Sequence, residues 1–576
     1  MFVKLAGAAL NLTPLAFQQN KATILDAIRA AQKDNVHILC LPELCITGYD
    51  CMDAFYSPDV MQRAWMILQE IIPHTQNIGV AIGVPLLYQQ KRYNAVAWVT
   101  HGVLHGFACK ETLANQEVYY ESRWFTPWQG PPQPYAGVFI GQRVYDYQGI
   151  KIGFEICEEA WVEARSAHHA IQAGAQIILN PSASHFCLDK HLKRRALVQT
   201  LCDHYNVAYI FTNALGNGAG RLLYDGHILI GAPHILGEHL TYASDNYTLY
   251  SQTYDPQTHA FLSPPPSPLK NLSPYEQFTR IEALALWDTL RKTKTNGFVI
   301  SLSGGVDSSV CATLVWMMKK LVKKQNIPLT LVYQKTHQNS PATQHAAEQL
   351  AKALDATYLC FDVQPLFEAY QAFMPHPLTW QTHDLALQNL QARVRSPSVW
   401  LIANVQNALL LATSNRSESA VGYVTMDGDT SGSFSPLTGI DKPFLQGWLA
   451  WAATEGLPEI GPLPALHPVL TLTPSAELRP NPQTDENDLM PYPVLNAIEG
   501  LLRKEHCWDK KRLLSYLIPQ FSAYPAPQLA TWIDLFFTLW QKNQWKRERF
   551  APGFHIDTYS LDPKSDCRLP IFFENL

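Results

Sequence analysis

The stretch FVISLSGGVDSS at residues 298–309 decides the fold of the second half of the chain. A short apolar strand, predicted over Gly297–Leu302, leads into a Gly-Gly turn and then into a helix predicted over Val310–Lys319. A strand, a glycine turn and a helix N-terminus together form a site for phosphate, because the backbone N–H groups of the turn can approach an anion closely. The stretch therefore predicts an α/β domain with a nucleotide-phosphate loop.

The loop offers serine hydroxyl donors and one carboxylate, Asp307, of the kind that holds Mg²⁺ beside phosphates. The alternative is a plain turn in which Asp307 and Ser308 cap the helix, but the complete run after an apolar strand favours a ligand site. The Walker sequence GxxxxGK is absent. The run resembles the pyrophosphate loop of the N-type ATP pyrophosphatases, which cleave ATP to AMP and pyrophosphate. That resemblance implies that ATP is bound by Ser303, Gly304, Gly305, Asp307, Ser308 and Ser309.

Further motifs of the second half follow the order that is typical of one family. Together they cover most of residues 275–500 and are similar to the motifs of NAD⁺ synthetases, although Gln388 stands where that family has Glu. The segments are QNLQARVR at 388–395, ATSNRSE at 412–418, GY at 422–423, GD at 428–429, PLTGIDK at 436–442, and SAELRP with QTDE at 475–486.

The resemblance to NAD⁺ synthetases implies a role for individual residues. Thr413 and Lys442 are expected to contact the ATP phosphates or the nucleotide. Glu418 is expected to join Asp307 as a Mg²⁺ ligand. Arg393 and Asp429 are expected at the site of deamido-NAD⁺. A surface salt bridge or a helix cap is the alternative for each of these residues taken alone.

Three reactive side chains of the first half each follow an apolar strand. Glu43 comes after Val36–Leu41, Lys110 after a strand-like segment, and Cys157 after Ile150–Ile156. The end of a strand is where a rigid scaffold can fix a side chain in a cleft. Hydrolysis of an amide through a thioester needs a thiolate, a base and a cation for the oxyanion. We therefore expect Cys157 as nucleophile, Glu43 as general base and Lys110 as stabiliser of the oxyanion and thiolate.

The surrounding sequence over residues 3–230 resembles the nitrilase superfamily, particularly the glutaminase domains of NAD⁺ synthetases. The patterns KxxLxN and ExRxF within residues 110–125 and CExxW at 157–161 carry this resemblance. It implies an α-β-β-α sandwich and a glutamine substrate. Glu117 or Glu121 and the pair Ser182 and Ser184 are candidates for positioning glutamine, with core or capping roles as the alternative.

A proline-rich stretch, SPPPSP at 263–268, separates two α/β patterns and is typical of a linker. We predict a glutaminase domain over residues 1–262, a linker over 263–274 and a synthetase domain over 275–576. Further buried strands are expected in the first domain, for example at Ile78–Val84, Ala175–Leu179 and Val207–Phe211. The second domain is expected to be a doubly wound parallel sheet of the adenine nucleotide α-hydrolase type.

Composition excludes several function classes. The net charge is only −5, so no nucleic-acid surface is expected. No apolar run approaches the roughly 18 residues of a membrane span. The 11 cysteines are odd in number and form no CxxC pair, which argues against a disulfide framework and favours the cytoplasm. His101 and His105 lack a third ligand for a metal site.

The two halves complete one reaction if both resemblances hold. ATP would adenylate deamido-NAD⁺, with Mg²⁺ bound to the phosphates, and ammonia from L-glutamine would displace AMP to give NAD⁺. The alternatives are another ATP-pyrophosphatase amidotransferase, or a stand-alone amidase fused to a nucleotide-sensing domain. Synthetase domains of this family pair as dimers, so the resemblance also implies a homo-oligomer.

Overall fold

The computed structural model describes residues 2–242, 246–266, 272–472, 477–480, 484–571 and 573. Contacts divide the chain into two units, Met1–Pro274 and Tyr275–Leu576. The linker predicted over residues 263–274 lies at the end of the first unit, and its residues 267–271 are outside the described part of the chain. The domain limits given above therefore stay a prediction.

The first unit is built on two facing β-sheets. One has the strand order β17-β16-β1-β2-β3-β4-β5-β7-β6, the other has the order β15-β14-β11-β10-β9-β8, and β12 pairs with β13. The strands are β1 (Val3–Leu10), β2 (Ile38–Cys40), β3 (Gly79–Tyr88), β4 (Lys91–Thr100), β5 (Val103–Cys109), β6 (Gln133–Tyr135), β7 (Val138–Ile140), β8 (Tyr145–Tyr147), β9 (Ile150–Phe154), β10 (Ile177–Ser182), β11 (Ala208–Asn213), β12 (Leu215–Asn217), β13 (Leu223–Asp225), β14 (Ile228–Ala232), β15 (Ile235–His239), β16 (Tyr247–Asp255) and β17 (Ala260–Phe261).

Helices cover the outer face of each sheet. They are α1 (Phe17–Lys33), α2 (Pro58–Ile71), α3 (Ser166–Gln172) and α4 (Lys190–Tyr205). Helices α1 and α2 pack on the larger sheet, α3 and α4 pack on the smaller one, and β1 meets β11 between the sheets. On α1 the buried Ile24, Ala27, Ile28 and Ala31 form one apolar stripe. The predicted α-β-β-α sandwich is confirmed.

The second unit contains a four-stranded parallel sheet of order β20-β19-β18-β21. Its strands are β18 (Phe298–Ser301), β19 (Leu329–Lys335), β20 (Thr357–Asp362) and β21 (Leu409–Leu411). The first strand, β18, lies between β19 and β21, so the strand order reverses at β18. In doubly wound sheets ligands bind at the carboxyl ends of the strands at this reversal. The SGGVDSS loop follows β18 at that position.

Helices pack around this sheet and continue beyond it as far as Arg547. They are α5 (Pro274–Thr293), α6 (Val306–Leu321), α7 (Pro341–Ala353), α8 (Gln364–Gln371), α9 (Trp380–Gln406), α10 (Arg416–Val421), α11 (Lys442–Thr454), α12 (His467–Leu470), α13 (Asp485–Asp488), α14 (Tyr492–Lys504), α15 (Lys510–Gln520), α16 (Ala526–Lys542) and α17 (Gln544–Arg547). Val399 and Ala403 of α9 pack on Val299 of β18, whose apolar run is buried. The predicted parallel sheet is confirmed.

Two local expectations differ from the structure. The helix expected from Val310 begins four residues earlier, at Val306, because the Gly-Gly turn leads directly into the first helical turn. The apolar pattern after Cys157 also predicts a helix over Val162–Ala173, but helix α3 begins only at Ser166, after Arg165 in an extended conformation. The guanidinium of Arg165 pairs with the buried Glu155 at 2.6 Å, which fixes the preceding loop. Among the described residues, no helix is both long and apolar enough to cross a membrane.

Candidate active sites

The structure brings Glu43, Lys110 and Cys157 together in the first unit. They follow β2, β5 and β9, and they are 1%, 1% and 3% exposed. Lys110 Nζ donates to Glu43 Oε1 at 2.7 Å. The charges of Glu43 and Lys110 both act on the pKa of the Cys157 thiol, so all three groups share one site.

Glu121 and Asn94 complete the polar surroundings of this site. Glu121 Oε1 accepts from Lys110 Nζ at 2.9 Å and from the Tyr49 hydroxyl at 2.7 Å. Asn94 Nδ2 donates to Glu43 Oε1 at 2.7 Å. The sequence did not identify Asn94 or Tyr49, although a polar residue in the buried apolar strand β4 is a signal for Asn94. Glu121 therefore contacts Lys110 directly, and the expectation that Glu117 or Glu121 positions glutamine stays a prediction.

Burial decides the protonation behaviour of the three reactive groups. It opposes charge on Lys110, but the carboxylates of Glu121 and Glu43 outweigh it and raise the pKa of Lys110 well above its usual value. Burial raises the pKa of Glu43 and also that of Cys157, whose thiol is further disfavoured from ionising by Glu43. The lysine is therefore a permanent cation, while Glu43 is suited to receive a proton from the thiol.

Backbone geometry fixes the positions of Cys157 and Glu43, the expected nucleophile and base. Cys157 has φ +45°, the left-handed region that non-glycine residues rarely occupy and that often marks functional sites. Gly83 of β3 faces the loop that carries Glu43, and a Cβ there would lie 2.3 Å from the Leu44 nitrogen and 2.5 Å from the Pro42 oxygen. Only glycine lets this loop lie against β3, which fixes the position of Glu43.

The residues expected to position glutamine lie in different surroundings. Ser182 Oγ donates to Asn180 Oδ1 at 2.5 Å, and Ser184 accepts from Arg194 Nη2 at its backbone oxygen at 2.9 Å. Both serines are buried. Glu117 is exposed, with Oε2 3.8 Å from His185 Nε2. Their contact with glutamine stays a prediction.

Lys190 is a further basic residue near Cys157 that the sequence did not single out. Its Nζ lies 3.4 Å from His185 Nδ1 and 5.8 Å from the centre of the Trp161 ring. Burial, followed by the charge of Arg194, lowers the pKa of Lys190 to about 8, whereas Glu117 and Cys157 raise it. Within the described part of the chain no carboxylate forms an ion pair with Lys190, in contrast to Lys110.

The second unit contains a cavity of about 280 Å³ at the carboxyl ends of β18 and β21. Of the residues predicted to bind ATP, metal or deamido-NAD⁺, those that line the cavity are Ser303, Gly305, Asp307, Ser308, Thr413, Glu418, Asp429 and Lys442. Gly304, Ser309 and Arg393 do not line it. Gly304 has φ +84° and packs so closely on Thr343 that a Cβ would lie 2.2 Å from its backbone oxygen. Arg393 is exposed and donates through Nε to Met426 O at 3.0 Å.

Carboxyl groups outnumber basic groups around Lys442 beside the phosphate loop. Lys442 Nζ donates to Asp307 Oδ2 and lies 3.3 Å from Glu418 Oε1. Asp485 lines the same cavity. Burial raises the pKa of Glu418 to about 8, with further upward shifts from Asp307 and Asp485 and an opposing one from Lys442. Such crowding of carboxylates favours a bound cation.

The donor set suits Mg²⁺. Among the described residues no group of three or more His, Cys, Asp or Glu side chains is arranged to hold a metal. Mg²⁺ is usually held by only one or two carboxylates and takes its remaining oxygens from substrate phosphates and water. Asp307 and Glu418, both turned toward Lys442 beside the phosphate loop, fit that pattern.

Arg395 belongs to the cavity of the second unit, although it was not among the site residues expected from the sequence. It lines the cavity together with Tyr333 and Glu477. Its Nε and Nη2 are buried and form no hydrogen bond with the described residues. An arginine in this state is suited to a phosphate or carboxylate of a ligand. Arg395 is the final residue of the QARVR segment, so the sequence motif already contained it.

Comparison with known proteins defines the class of each unit. Residues 4–232 match the carbon-nitrogen hydrolase family, and residues 279–522 match the NAD synthase family. A solved glutamine-dependent NAD(+) synthetase from Cytophaga hutchinsonii is 36% identical with a TM-score of 0.88, and the match covers 100% of this chain and 98% of that chain. The fold and the two sites thus define a carbon–nitrogen ligase that carries its own amide hydrolase.

Curated relatives agree over almost the whole length. A human glutamine-dependent NAD(+) synthetase is 27% identical, covering 98% of this chain and 95% of the relative. A putative one from Schizosaccharomyces pombe is also 27% identical, covering 97% and 95%. The chain belongs to the family of glutamine-dependent NAD⁺ synthetases. This family assignment excludes both alternatives given above, namely another ATP-pyrophosphatase amidotransferase and a stand-alone amidase fused to a nucleotide-sensing domain.

Proposed function

We propose that the chain converts deamido-NAD⁺ to NAD⁺ with ATP and with ammonia released from L-glutamine by Glu43, Lys110 and Cys157. The observation that carries this proposal is that each unit forms its own site at strand ends. In the first unit the buried Lys110 lies 2.7 Å from Glu43 beside Cys157. In the second unit Asp307, Glu418 and Lys442 meet at the phosphate loop.

Glutamine hydrolysis follows from the geometry of the first site. Glu43 takes the thiol proton of Cys157, and the sulfur attacks the side-chain amide carbon of glutamine. Lys110 stabilises the negative oxygen of the tetrahedral intermediate. Glu43 returns the proton to the leaving ammonia, and a thioester with the glutamyl group remains. Water, activated by Glu43, then releases glutamate and restores the thiol.

Recognition of glutamine needs a cation for its α-carboxylate and an anion for its α-ammonium group. Lys190 has no carboxylate partner among the described residues and lies near Cys157, so we assign it to the α-carboxylate. Glu117, exposed near His185, is assigned to the α-ammonium group. Ser182 and Ser184 flank Ala183, whose N–H donates to Glu43 Oε2 at 3.1 Å, and we keep them as positioning residues for glutamine.

Adenylation takes place in the second site. The nicotinate carboxylate of deamido-NAD⁺ attacks the α-phosphorus of ATP, pyrophosphate leaves, and ammonia then attacks the acyl carbon and expels AMP. Bound Mg²⁺ would offset phosphate charge from its position on Asp307 and Glu418. We assign Ser303, Gly305, Ser308, Thr413 and Lys442 to contact with the nucleotide, and Gly304 and Ser309, which do not line the cavity, to shaping the loop that holds it. Arg393 and Asp429 are assigned to deamido-NAD⁺, and Arg395 to the phosphates.

Assembly and location are part of the proposal. A homo-oligomer formed through synthetase domains is supported by the number of large apolar side chains exposed on α8, α9 and the connection between them, since exposed apolar surface is often covered by a protein partner. These side chains are Leu366, Phe373, Met374, Leu385, Leu401 and Val405. A cytoplasmic location is supported by the odd number of cysteines without CxxC pairs.

The proposed function is tested by supplying purified protein with ATP, Mg²⁺, deamido-NAD⁺ and glutamine. We expect NAD⁺, AMP, pyrophosphate and glutamate in equal amounts. Omission of deamido-NAD⁺ should abolish pyrophosphate release. Glutamate formation without any NAD⁺, under conditions in which ammonium also gives none, would contradict the synthetase assignment.

A further inference from the structure

Glu159 is a fully buried carboxyl group that the mechanism above does not use. It lies two residues after Cys157, in the short 3-10 helix Cys157–Ala160, and is 0% exposed. Glu111 N–H donates to its Oε1 at 2.5 Å, and Ile156 N–H donates to its Oε2 at 2.5 Å. Ser166 Oγ donates to Oε2 at 2.8 Å. Three donors therefore satisfy one buried carboxyl group, which makes its burial tolerable.

The two backbone donors have a particular place in the chain. Glu111 directly follows Lys110, and Ile156 directly precedes Cys157. One side chain therefore joins the backbone of the loop after β5 to the backbone of the loop after β9. The side chain of Lys110 is fixed separately, by Glu43 and Glu121.

Glu159 also closes the turn that carries the nucleophile. Its own N–H donates to Ile156 O at 3.2 Å while its carboxyl group accepts from Ile156 N–H. Both bonds span Cys157, whose φ of +45° is unfavourable for a residue with a Cβ. A conformation of this kind persists only where its surroundings determine it.

We propose that Glu159 is a positioning residue for the glutaminase reaction, which sets the separation of Cys157 from Lys110 and holds Cys157 in its left-handed conformation. The inference rests on the roles proposed above for Cys157 and Lys110. The nucleophile and the oxyanion cation must meet the same carbonyl group, and a misplacement of about 1 Å can reduce a rate roughly 100-fold. Glu159 acts on that separation without touching the substrate.

Three variants distinguish the proposed link between the two loops by Glu159 from the effect of a carboxyl group alone and from local packing. Glu159→Gln keeps the shape but has one oxygen, so it cannot accept from both N–H groups. Glu159→Asp keeps the carboxyl group but is one methylene shorter, so it cannot span both loops. Ser166→Ala is the matched control, because it removes only the third bond and leaves both backbone bonds in place. Each variant is assayed for NAD⁺ formation with glutamine and with ammonium chloride.

We expect glutamine-dependent kcat to fall about 10- to 100-fold in Glu159→Gln and in Glu159→Asp, with the KM for glutamine changed less than about threefold. Ammonium-dependent synthesis should match that of the unaltered chain in all three variants, and Ser166→Ala should keep its glutamine-dependent kcat.

Full kcat in Glu159→Asp would show that the length of this side chain does not matter and would overturn the inference. An equal loss in Ser166→Ala would overturn it too, because local packing would then explain the effect. Cys157→Ala is run alongside. If that variant is inactive with glutamine while both Glu159 variants are fully active, only the positioning role fails. If Cys157→Ala stays active, the proposed nucleophile itself fails.

Discussion

The two active sites differ in how their charged side chains are arranged. In the first unit Lys110 forms ion pairs with both Glu43 and Glu121 beside Cys157, and all three charged side chains are shielded from solvent. In the second unit Asp307 and Glu418 share one lysine, beside a cavity of about 280 Å³. The difference indicates that the first site is organised for an uncharged amide, whereas the second awaits phosphates and a cation.

The same contrast extends to the groups around each site. Oxygens of Glu43 and Glu121 accept hydrogen bonds from backbone and side-chain donors, so the first site is preorganised without its substrate. In the second unit Arg395 presents buried nitrogens without hydrogen bonds to the described residues. Its arrangement becomes complete only with a ligand. Variants that affect one site and spare the other test this comparison most directly.

The largest effect is expected for Cys157→Ala. Loss of a nucleophile typically lowers kcat by about 10⁴-fold or more. The phosphate loop is untouched, so ammonium chloride at high pH should still give NAD⁺. The measurement is NAD⁺ formation with either nitrogen source. Glutamine-dependent activity that survives in this variant would show that the first unit does not work through Cys157.

Asp307→Ala should behave in the reverse way. Adenylation depends on phosphates held beside Asp307, so we expect a loss of about 1000-fold with both glutamine and ammonium. Pyrophosphate release is the direct readout. Wild-type synthesis from ammonium would mean that the loop after β18 does not hold the phosphates, and the contrast in charge between the sites would lose its functional meaning.

The buried Glu282 of helix α5 should make the stability of the chain depend on pH. It is fully buried, and neither carboxyl oxygen has a hydrogen bond to the described residues. Burial raises its pKa well above the usual value. Between the ordinary pKa and the raised one, the native state binds a proton that the unfolded state has released. Stability therefore falls as pH rises through this window, by about 1.4 kcal/mol for each pH unit.

Glu282→Gln removes the ionisable group, so the variant should not lose stability in this way as the pH rises. We expect the Tm of the variant to exceed that of the unaltered chain by an amount that increases from pH 5.5 to pH 8, measured by differential scanning fluorimetry. Glu163→Gln, at an exposed position, serves as the control and should show no such trend. A Tm difference that is constant with pH would contradict the assigned protonation of Glu282.

The smallest effect is expected for Gln388→Glu. Gln388 Nε2 donates to Asp384 Oδ2 at 2.9 Å on α9. A glutamate would lose this bond and face a like charge one turn away, which costs about 0.2–0.5 kcal/mol on a helix surface. We expect kcat with ammonium to stay within about twofold of the original value. A loss of tenfold would show that the second site requires a neutral amide at position 388.

Much of both sites could be predicted because it lies at strand ends. A reactive residue after a short apolar run is a local pattern, and Glu43, Cys157 and Asp307 follow it. Lys190 and Asn94 could not be found in this way. Lys190 begins a helix and reaches the nucleophile only because α4 packs on the smaller sheet. The function of each depends on pairing between distant segments, which residue spacing does not encode.

The position of β18 in the middle of its sheet also bears on how such chains change in length. The alignment with the human relative runs over 676 positions, whereas this chain has 576 residues, so gaps must fall within this chain. β18 and β21 are neighbours although residues 302–408 separate them. Extra residues in the surface connections can therefore accumulate without displacing the phosphate loop, because loops tolerate insertions that paired strands do not. Extra length in the connections is therefore compatible with the fold, because the residues directly after each strand are held in place by the sheet itself.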